Sequence, residues 1–309
     1  MTDSAGLLGP GGTSGPSFKD VDGGGGIEGS YNLASLMRLP ADQRFDVEGF
    51  FNYDHNAMTL GALPGIGVAN SGSAQTNTYM VGGLVSYAIE RTYLNVAGFY
   101  DFGGGSEFQT TDGSAGSFGL QGYGVDARLG NTFILYNSIT PGTQGFVTKE
   151  PATPAGGYAV GLDASGHVGY GNQRFDSFTD STGFIYGPDQ TRFGDAGALA
   201  KLFVVFAQGD YLWAPYVGAL IDQQFAYSST LDIPSQPALV GGDVLFIRPA
   251  QTYYGPQLGL DMQAPSGWKA GIKGFLTATA DTQIAGGTVY ASIPFDVPPP
   301  PAPPLAAKY

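Results

Sequence analysis

Residues 45–54 read FDVEGFFNYD, and their alternation decides the fold. Phe45, Val47, Gly49, Phe51 and Tyr53 fall on one side of an extended chain, with Asp46, Glu48, Phe50, Asn52 and Asp54 on the other. A repeat of two is the signature of a β-strand. One face is apolar and the other bears carboxylates and amides, so this strand divides two environments.

The pattern recurs along the chain. Tyr79, Val81, Val85 and Tyr87 share one face, and Leu94, Val96, Tyr100 and Phe102 alternate with Asn95, Ala97, Phe99 and Asp101. Tyr123, Val125 and Leu129 oppose Asp126 and Arg128; a turn at Gly130-Asn131 would then lead into a short strand over Thr132–Asn137. Further on, Tyr158, Val160, Leu162, Val168 and Tyr170 oppose Asp163, Ser165 and His167. Ala198, Ala200 and Leu202 oppose Asp195 and Lys201, and Trp213, Val217 and Ile221 oppose Tyr216 and Asp222. Leu258 and Leu260 oppose Asp261, and Trp268, Ala270, Ile272 and Leu276 oppose Lys269 and Lys273. The last strand is GGTVYASIPF (286–295), with Val289, Ala291, Ile293 and Phe295 sharing a face. The prolines that follow in DVPPPPAPP leave the sheet as an extended polyproline segment.

Tight links at Ile89–Arg91, Gly130-Asn131, Gly209-Asp210 and Pro265–Gly267 alternate with long ones near 55–75, 103–116, 139–155, 181–191 and 228–250. That alternation of short and long connections is how membrane β-barrels are built. Keeping its parity requires one more strand within Gln173–Thr179 and gives twelve strands, an even number. The expected organisation is a Gly-rich linker over 1–30, a short helix over 31–40, a barrel over 41–295 and a Pro-rich tail over 296–309.

Composition favours the same architecture. The 309 residues carry a formal charge of −13, which repels phosphate and excludes nucleic acid as a partner. There is no Cys, so neither a disulfide framework nor a thiolate metal site exists. Fifty Gly, 18 Tyr and 20 Phe against only 13 Lys+Arg leave too few charges to coat a soluble β-sandwich. No apolar run is long enough for a transmembrane helix, a test that a barrel escapes. The opening MTDSAGLLGPGGTSGPSFKD lacks the marks of a secretory signal, so either a signal lies outside this sequence or the membrane reading fails. Aromatic residues near strand ends on the apolar face, namely Phe45, Tyr53, Tyr79, Tyr87, Tyr158, Tyr170, Trp213 and Trp268, suit girdles at two membrane interfaces.

Over roughly 44–295 the chain resembles the autotransporter β-domain family of Gram-negative outer membranes. The resemblance is carried by GGYAVGLDASGHVGY (156–170), FGDAGALAKLF (193–203), LWAPYVGALIDQQF (212–225), YYGPQLGLDMQAPSGWKAGIKGFLTA (253–278) and the closing GGTVYASIPF. It implies a twelve-stranded all-β transmembrane barrel set in outer-membrane lipid, with residues 31–39 as a helix in the lumen. It also implies that the barrel-assembly machinery reads the terminal strand ending in Phe295, and that a passenger is exported through the pore. Two departures stand out: the Gly-rich 30 residues in front form no passenger, and the chain continues past the terminal Phe.

The polar faces supply the candidate site. Asp46, Glu48, Asp101, Asp126, Asp163, Asp195, Asp222 and Asp261 outnumber Arg128, Lys201, Lys269 and Lys273, with His167 among them. An open ring of carboxylates favours cations; in a plugged pore the same groups hydrogen-bond each other and the helix. Asp163, Ser165 and His167 suggest a hydrolase triad, but same-face neighbours on a strand stand nearly 7 Å apart, too far for the contacts a triad needs. Gly103–Gly105 reads as a loop tip and, with no helix after it, not as a phosphate cradle. TTDGSAG (110–116) lacks the repeated spacing of a calcium loop. No enzyme activity, cofactor or metal is expected. The function implied is that of an outer-membrane translocator or anchor. The alternatives are a passenger-less porin-like channel preferring cations, and an adhesin-like barrel presenting a surface ligand site on its long loops.

Overall fold

The computed structural model describes residues 2–3, 18–34, 36–40, 42–60, 72–109, 113–138, 157–208, 211–231, 244–247, 251–264, 268–279 and 283–292. Its strands are β1 (Thr2–Asp3), β2 (Phe18–Asn32), β3 (Gln43–Leu60), β4 (Gly72–Ile89), β5 (Thr92–Gln109), β6 (Ala115–Asn137), β7 (Tyr158–Phe175), β8 (Phe178–Thr179), β9 (Ile185–Tyr186), β10 (Asp189–Gln208), β11 (Tyr211–Leu231), β12 (Val244–Ile247), β13 (Gln251–Gln263), β14 (Lys269–Ala278) and β15 (Gln283–Ser292). The described residues contain no helix.

Thirteen strands form one sheet in the order β10-β7-β6-β5-β4-β3-β2-β1-β15-β14-β13-β11-β12, and β10 also pairs with β11. β12 and β13 share one edge of β11, because β10 covers the other from Asp189↔Leu231 to Gln208↔Tyr211. Among the described residues, twelve strands therefore run round a closed antiparallel ring. Between β2 and β15 the closure rests on β1 alone, whose Thr2 and Asp3 pair with both strands; a closed ring is the condition for a sheet surrounded by hydrocarbon.

Side-chain exposure reverses the soluble rule. Leu258 is 65% exposed beside Gln257 at 7%, and Leu129, Val217 and Ile272 are exposed too. Along β3, Val47, Phe51 and Tyr53 face outward while Asp46 is buried. Exposed aliphatic side chains thus stand on the outside of the ring, and the carboxylates stand within. The strands, 23 residues in β6 and 18 in β3, β4, β5 and β7, exceed the roughly 9–11 that cross a bilayer core.

The expected total of twelve stands, but several expectations around it are corrected. The stretch 18–30, expected as the end of a linker, and Tyr31 and Asn32, expected as the start of the helix, form one wall strand paired with β3 from Phe18↔Leu60 to Asn32↔Asp46. Two of its glycines are packing residues: a Cβ at Gly24 would lie 2.4 Å from the Tyr53 carbonyl oxygen, and one at Gly26 would meet Asn52. The expected helix over 31–40 is a single turn, with Asn32 Oδ1 accepting from Ala34 N and Met37 N donating to Leu33 O. Arg38 then takes a left-handed φ of 54° and Pro40 follows, so a second turn cannot form.

The Gly130-Asn131 turn does not exist, since β6 passes straight through both residues. The expected strand within 173–179 is instead the end of β7 plus the two residues of β8, which pairs with β9 in a separate hairpin. These two losses are balanced by β2 and β1. They also move the long 138–157 connection to the end that carries the two-residue links 90–91 and 209–210. Gly103–Gly105 lies inside β5, where a Cβ at Gly103 would come 2.0 Å from the Asn77 carbonyl oxygen. Ile293, Phe295 and the Pro-rich tail lie outside the described residues, as does the 4–17 part of the expected linker.

Candidate functional site

The inner face is built from rows of residues aligned by strand register. On it, aromatic rings lie over glycines of the adjacent strand: Phe50 over Gly82, Phe99 over Gly124, Tyr93 over Gly130, Phe203 over Gly161, Tyr216 over Gly259 and Phe275 over Gly286. Each is a directly paired position. A Cβ at any of these glycines would sit 2.2–2.5 Å from ring carbons. The glycine and aromatic excess is therefore one feature, a ring filling the space where its neighbour has no side chain.

Polar groups occupy the rows between. At one rim Asp46 pairs with Arg44 and accepts a 2.9 Å hydrogen bond from Asn32 Nδ2. Asp163 accepts from Tyr93 Oη (3.0 Å) and Thr132 Oγ1 (3.1 Å), and stands across from Lys201, whose Nζ lies 5.6 Å from the centre of the Tyr216 ring. Asp261 accepts from Tyr290 Oη at 2.6 Å. Asp101 occupies the space left by Gly122, with Oδ1 buried. Glu48 and Asp126 share this face, half-buried, whereas Lys269 and Lys273 are exposed.

Asp163, Ser165 and His167 do not converge. Asp163 turns to Tyr93 and Thr132, while His167 Nε2 lies 3.2 Å from Asp195 Oδ2 and 3.3 Å from Asp222 Oδ2. Register explains this choice. His167 pairs with Gly197, which pairs with Asp222, so imidazole and carboxylate meet over a residue without a side chain. A Cβ at Gly197 would lie 2.5 Å from His167 Cε1. Asp195, two residues before Gly197 on β10, closes from the next row, where Gly169 leaves room for its carboxylate. Arg128 is the cross-strand neighbour of His167 on β6, and Asp126 faces Gly169 from the side opposite Asp195.

Outside the ring, Tyr79 stacks with Phe51 (6.1 Å between ring centres) and Phe102 (5.8 Å), and meets Tyr53 at 5.3 Å. Phe45 and Tyr87 meet at 6.4 Å, toward the other end of the same strands. Tyr158 packs on Tyr136, Trp268 on Tyr211; Tyr170 is exposed and Trp213 half-buried. In the terminal strand, Val289 and Ala291 are exposed on the outer face.

Two features escape a strand-by-strand reading. Tyr93, Thr132 and Tyr290 bond lumenal carboxylates, yet only the pairing brings them there. The other is the β8–β9 hairpin in the 176–188 connection. Its Phe178 packs over Gly116 and against Phe118, both on the inner-face parity of β6. Phe178 also stacks on Tyr186 at 4.6 Å. Asp180 Oδ1 accepts from Thr182 N, Thr182 Oγ1 and Phe184 N at 2.8, 2.6 and 2.9 Å, and these bonds, the Thr182 hydroxyl foremost, hold its carboxyl below the usual range.

No family model matches the chain, and no curated protein matches its sequence. Solved structures do match. The transport unit of the autotransporter AIDA-I from Escherichia coli is similar at a TM-score of 0.65 and 10% identity, over 95% of this chain and 88% of that one. The translocator domain of the autotransporter NalP from Neisseria meningitidis gives 0.56 and 13%, over 95% and 85%. The β-domain of the Bordetella autotransporter BrkA gives 0.53 and 11%, over 94% of each chain. At these identities the likeness is one of architecture, and the twelve-strand ring with its polar interior has the fold of the autotransporter β-domains.

Proposed function

We propose that the chain is an integral outer-membrane barrel that serves as a translocator or membrane anchor. The observation that carries this reading is the reversed surface: a closed ring exposing Leu, Val, Ile and aromatic side chains outward while enclosing its carboxylates. In water so much exposed apolar surface would drive aggregation; against lipid it is the stable arrangement. The likeness to a transport unit and a translocator domain supports the transport role. The paired outer aromatics then serve as interfacial girdles, and the β15 strand as the element the barrel-assembly machinery reads. Expressed behind a secretory signal, the protein is expected in the outer-membrane fraction as a band whose mobility on electrophoresis shifts on boiling. Recovery as a soluble protein with no shift would overturn the reading.

A second reading, a cation-preferring channel, is favoured by the excess of lumenal carboxylates over Arg128, Lys201, Lys269 and Lys273. Planar bilayers separate the two. Steady conductance with cation selectivity supports the channel, whereas a closed trace that opens on deletion of the β8–β9 hairpin supports a gated translocator.

A further inference from the structure

His167, Asp195 and Asp222 come from three adjacent strands, and their donor atoms lie within 4.8 Å of one another. The imidazole nitrogen faces both carboxylates at nearly equal distances, 3.2 and 3.3 Å. One Nε2–H can point at only one of them, and a charge-assisted bond would draw in to about 2.7–2.9 Å. Both contacts are longer. A tetrahedral ion with bonds of about 2.0–2.1 Å would instead hold its donors about 3.3–3.4 Å apart. Asp222 Oδ1 is, in addition, shielded from solvent without a hydrogen-bond partner.

Charge points the same way. Asp126, Asp195 and Asp222 gather round His167, while Arg128 is the cationic neighbour in register with it. Three carboxylates against one guanidinium leave an excess of negative charge that a divalent cation balances. The two glycines complete the pocket: Gly197 clears the imidazole ring and Gly169 the Asp195 carboxylate.

We propose that His167, Asp195 and Asp222 bind a divalent cation of the zinc class inside the barrel, leaving its remaining coordination positions to water in the lumen. One nitrogen and two carboxylate donors suit a borderline ion better than calcium, which takes six to eight oxygens. An ion here ties β7, β10 and β11 together across the lumenal face. Binding is independent of whether the barrel conducts or exports anything, so failure of either reading leaves the other standing.

The test uses the full chain without a histidine tag, folded in detergent and titrated with zinc chloride by calorimetry. One saturable site is expected, with excess calcium unable to compete. His167→Gln and Asp222→Asn are each expected to weaken zinc at least 10-fold. His55→Gln, which removes the chain's other histidine, is expected to leave the affinity unchanged. Each variant is checked for the boiling-dependent mobility shift of a folded barrel. No saturable binding by the parent, or parental affinity in both site variants, overturns the proposal. Should those variants fail to fold, cobalt replaces zinc in the parent: an intense tetrahedral visible band supports the site and its absence overturns it.

Discussion

The wall from β6 through β11 and the seam at β1 close the same ring by different means. β7 and β10 pair without interruption from Asp189↔Phe175 to Phe206↔Tyr158, and their inner faces interlock through Phe203 on Gly161 and Phe193 on Gly171. At the seam, β1 touches β2 only at Thr2↔Val21 and Asp3↔Asp20, and β15 only at Thr2↔Ala285 and Asp3↔Ile284. Gly23, Gly25 and Gly29 in β2 have nothing within 4 Å of where a Cβ would stand. One region is held by ladder hydrogen bonds plus interlocked side chains, and the other by a two-residue ladder. Opening of the ring, whether for assembly or transport, should begin where fewer bonds must break.

A disulfide across the seam should have the largest effect on stability. Thr2→Cys with Ala285→Cys joins directly paired positions in a chain that has no other cysteine. The expected gain on oxidation is about 2–4 kcal/mol, since the bridge closes nearly the whole chain. Ala164→Cys with Ala200→Cys, paired in the wall, is expected to add less because that region is already the last to open. Urea unfolding in lipid vesicles, oxidised against reduced, measures both. Equal gains would abolish the distinction.

Glycine substitutions on the two strands should differ in the same direction. Gly161→Val places a branched side chain where the Phe203 ring lies, its Cβ 2.2 Å from a ring carbon, and is expected to cost about 1–3 kcal/mol. Gly25→Val in β2 meets open space and adds an outward apolar group to a strand, so its expected effect is neutral to slightly stabilising, within about 1 kcal/mol. Urea midpoints at matched protein-to-lipid ratio distinguish the two. A loss of equal size at Gly25 would show that the outer face of β2 is not open at that position.

The same contrast explains what could be read in the sequence. Alternation over 45–54 or 158–170 is local, and the faces deduced from it match the observed exposure. A glycine's role here is not local. Gly130 reads as a turn and Gly23–Gly26 as linker because the reason for Gly130 lies in the Tyr93 ring on β5, and for Gly24 and Gly26 in β3. The total of twelve survived only because β1 and β2 replaced two strands that do not exist as separate elements. The site was half legible for a similar reason. His167 and its acidic neighbours are recognisable as inward residues, but the pairing of His167 with Asp195 and Asp222 follows from a register that only the folded sheet fixes.

The smallest expected effect concerns the β8–β9 hairpin, which lies in a connection rather than in the wall. Asp180 accepts three hydrogen bonds from Thr182 and Phe184, and its depressed pKa means that folding favours the carboxylate. An unfolded aspartate titrates near pH 3.9. The stabilisation is therefore fully present above that value, declines as pH falls through it toward the lower folded pKa, and is gone below both. Limited proteolysis with pepsin, comparing cleavage within 176–188 at pH 5 and pH 2, is expected to show the hairpin opening at the lower pH while the wall stays protected. Asp180→Asn keeps an acceptor for the amides without the charge, so it should flatten the pH dependence and leave the urea midpoint of the barrel unmoved. If acid instead loosened wall and hairpin together, the hairpin would be part of the same cooperative unit as β6 and β7, and its packing on Phe118 would be part of what holds the ring.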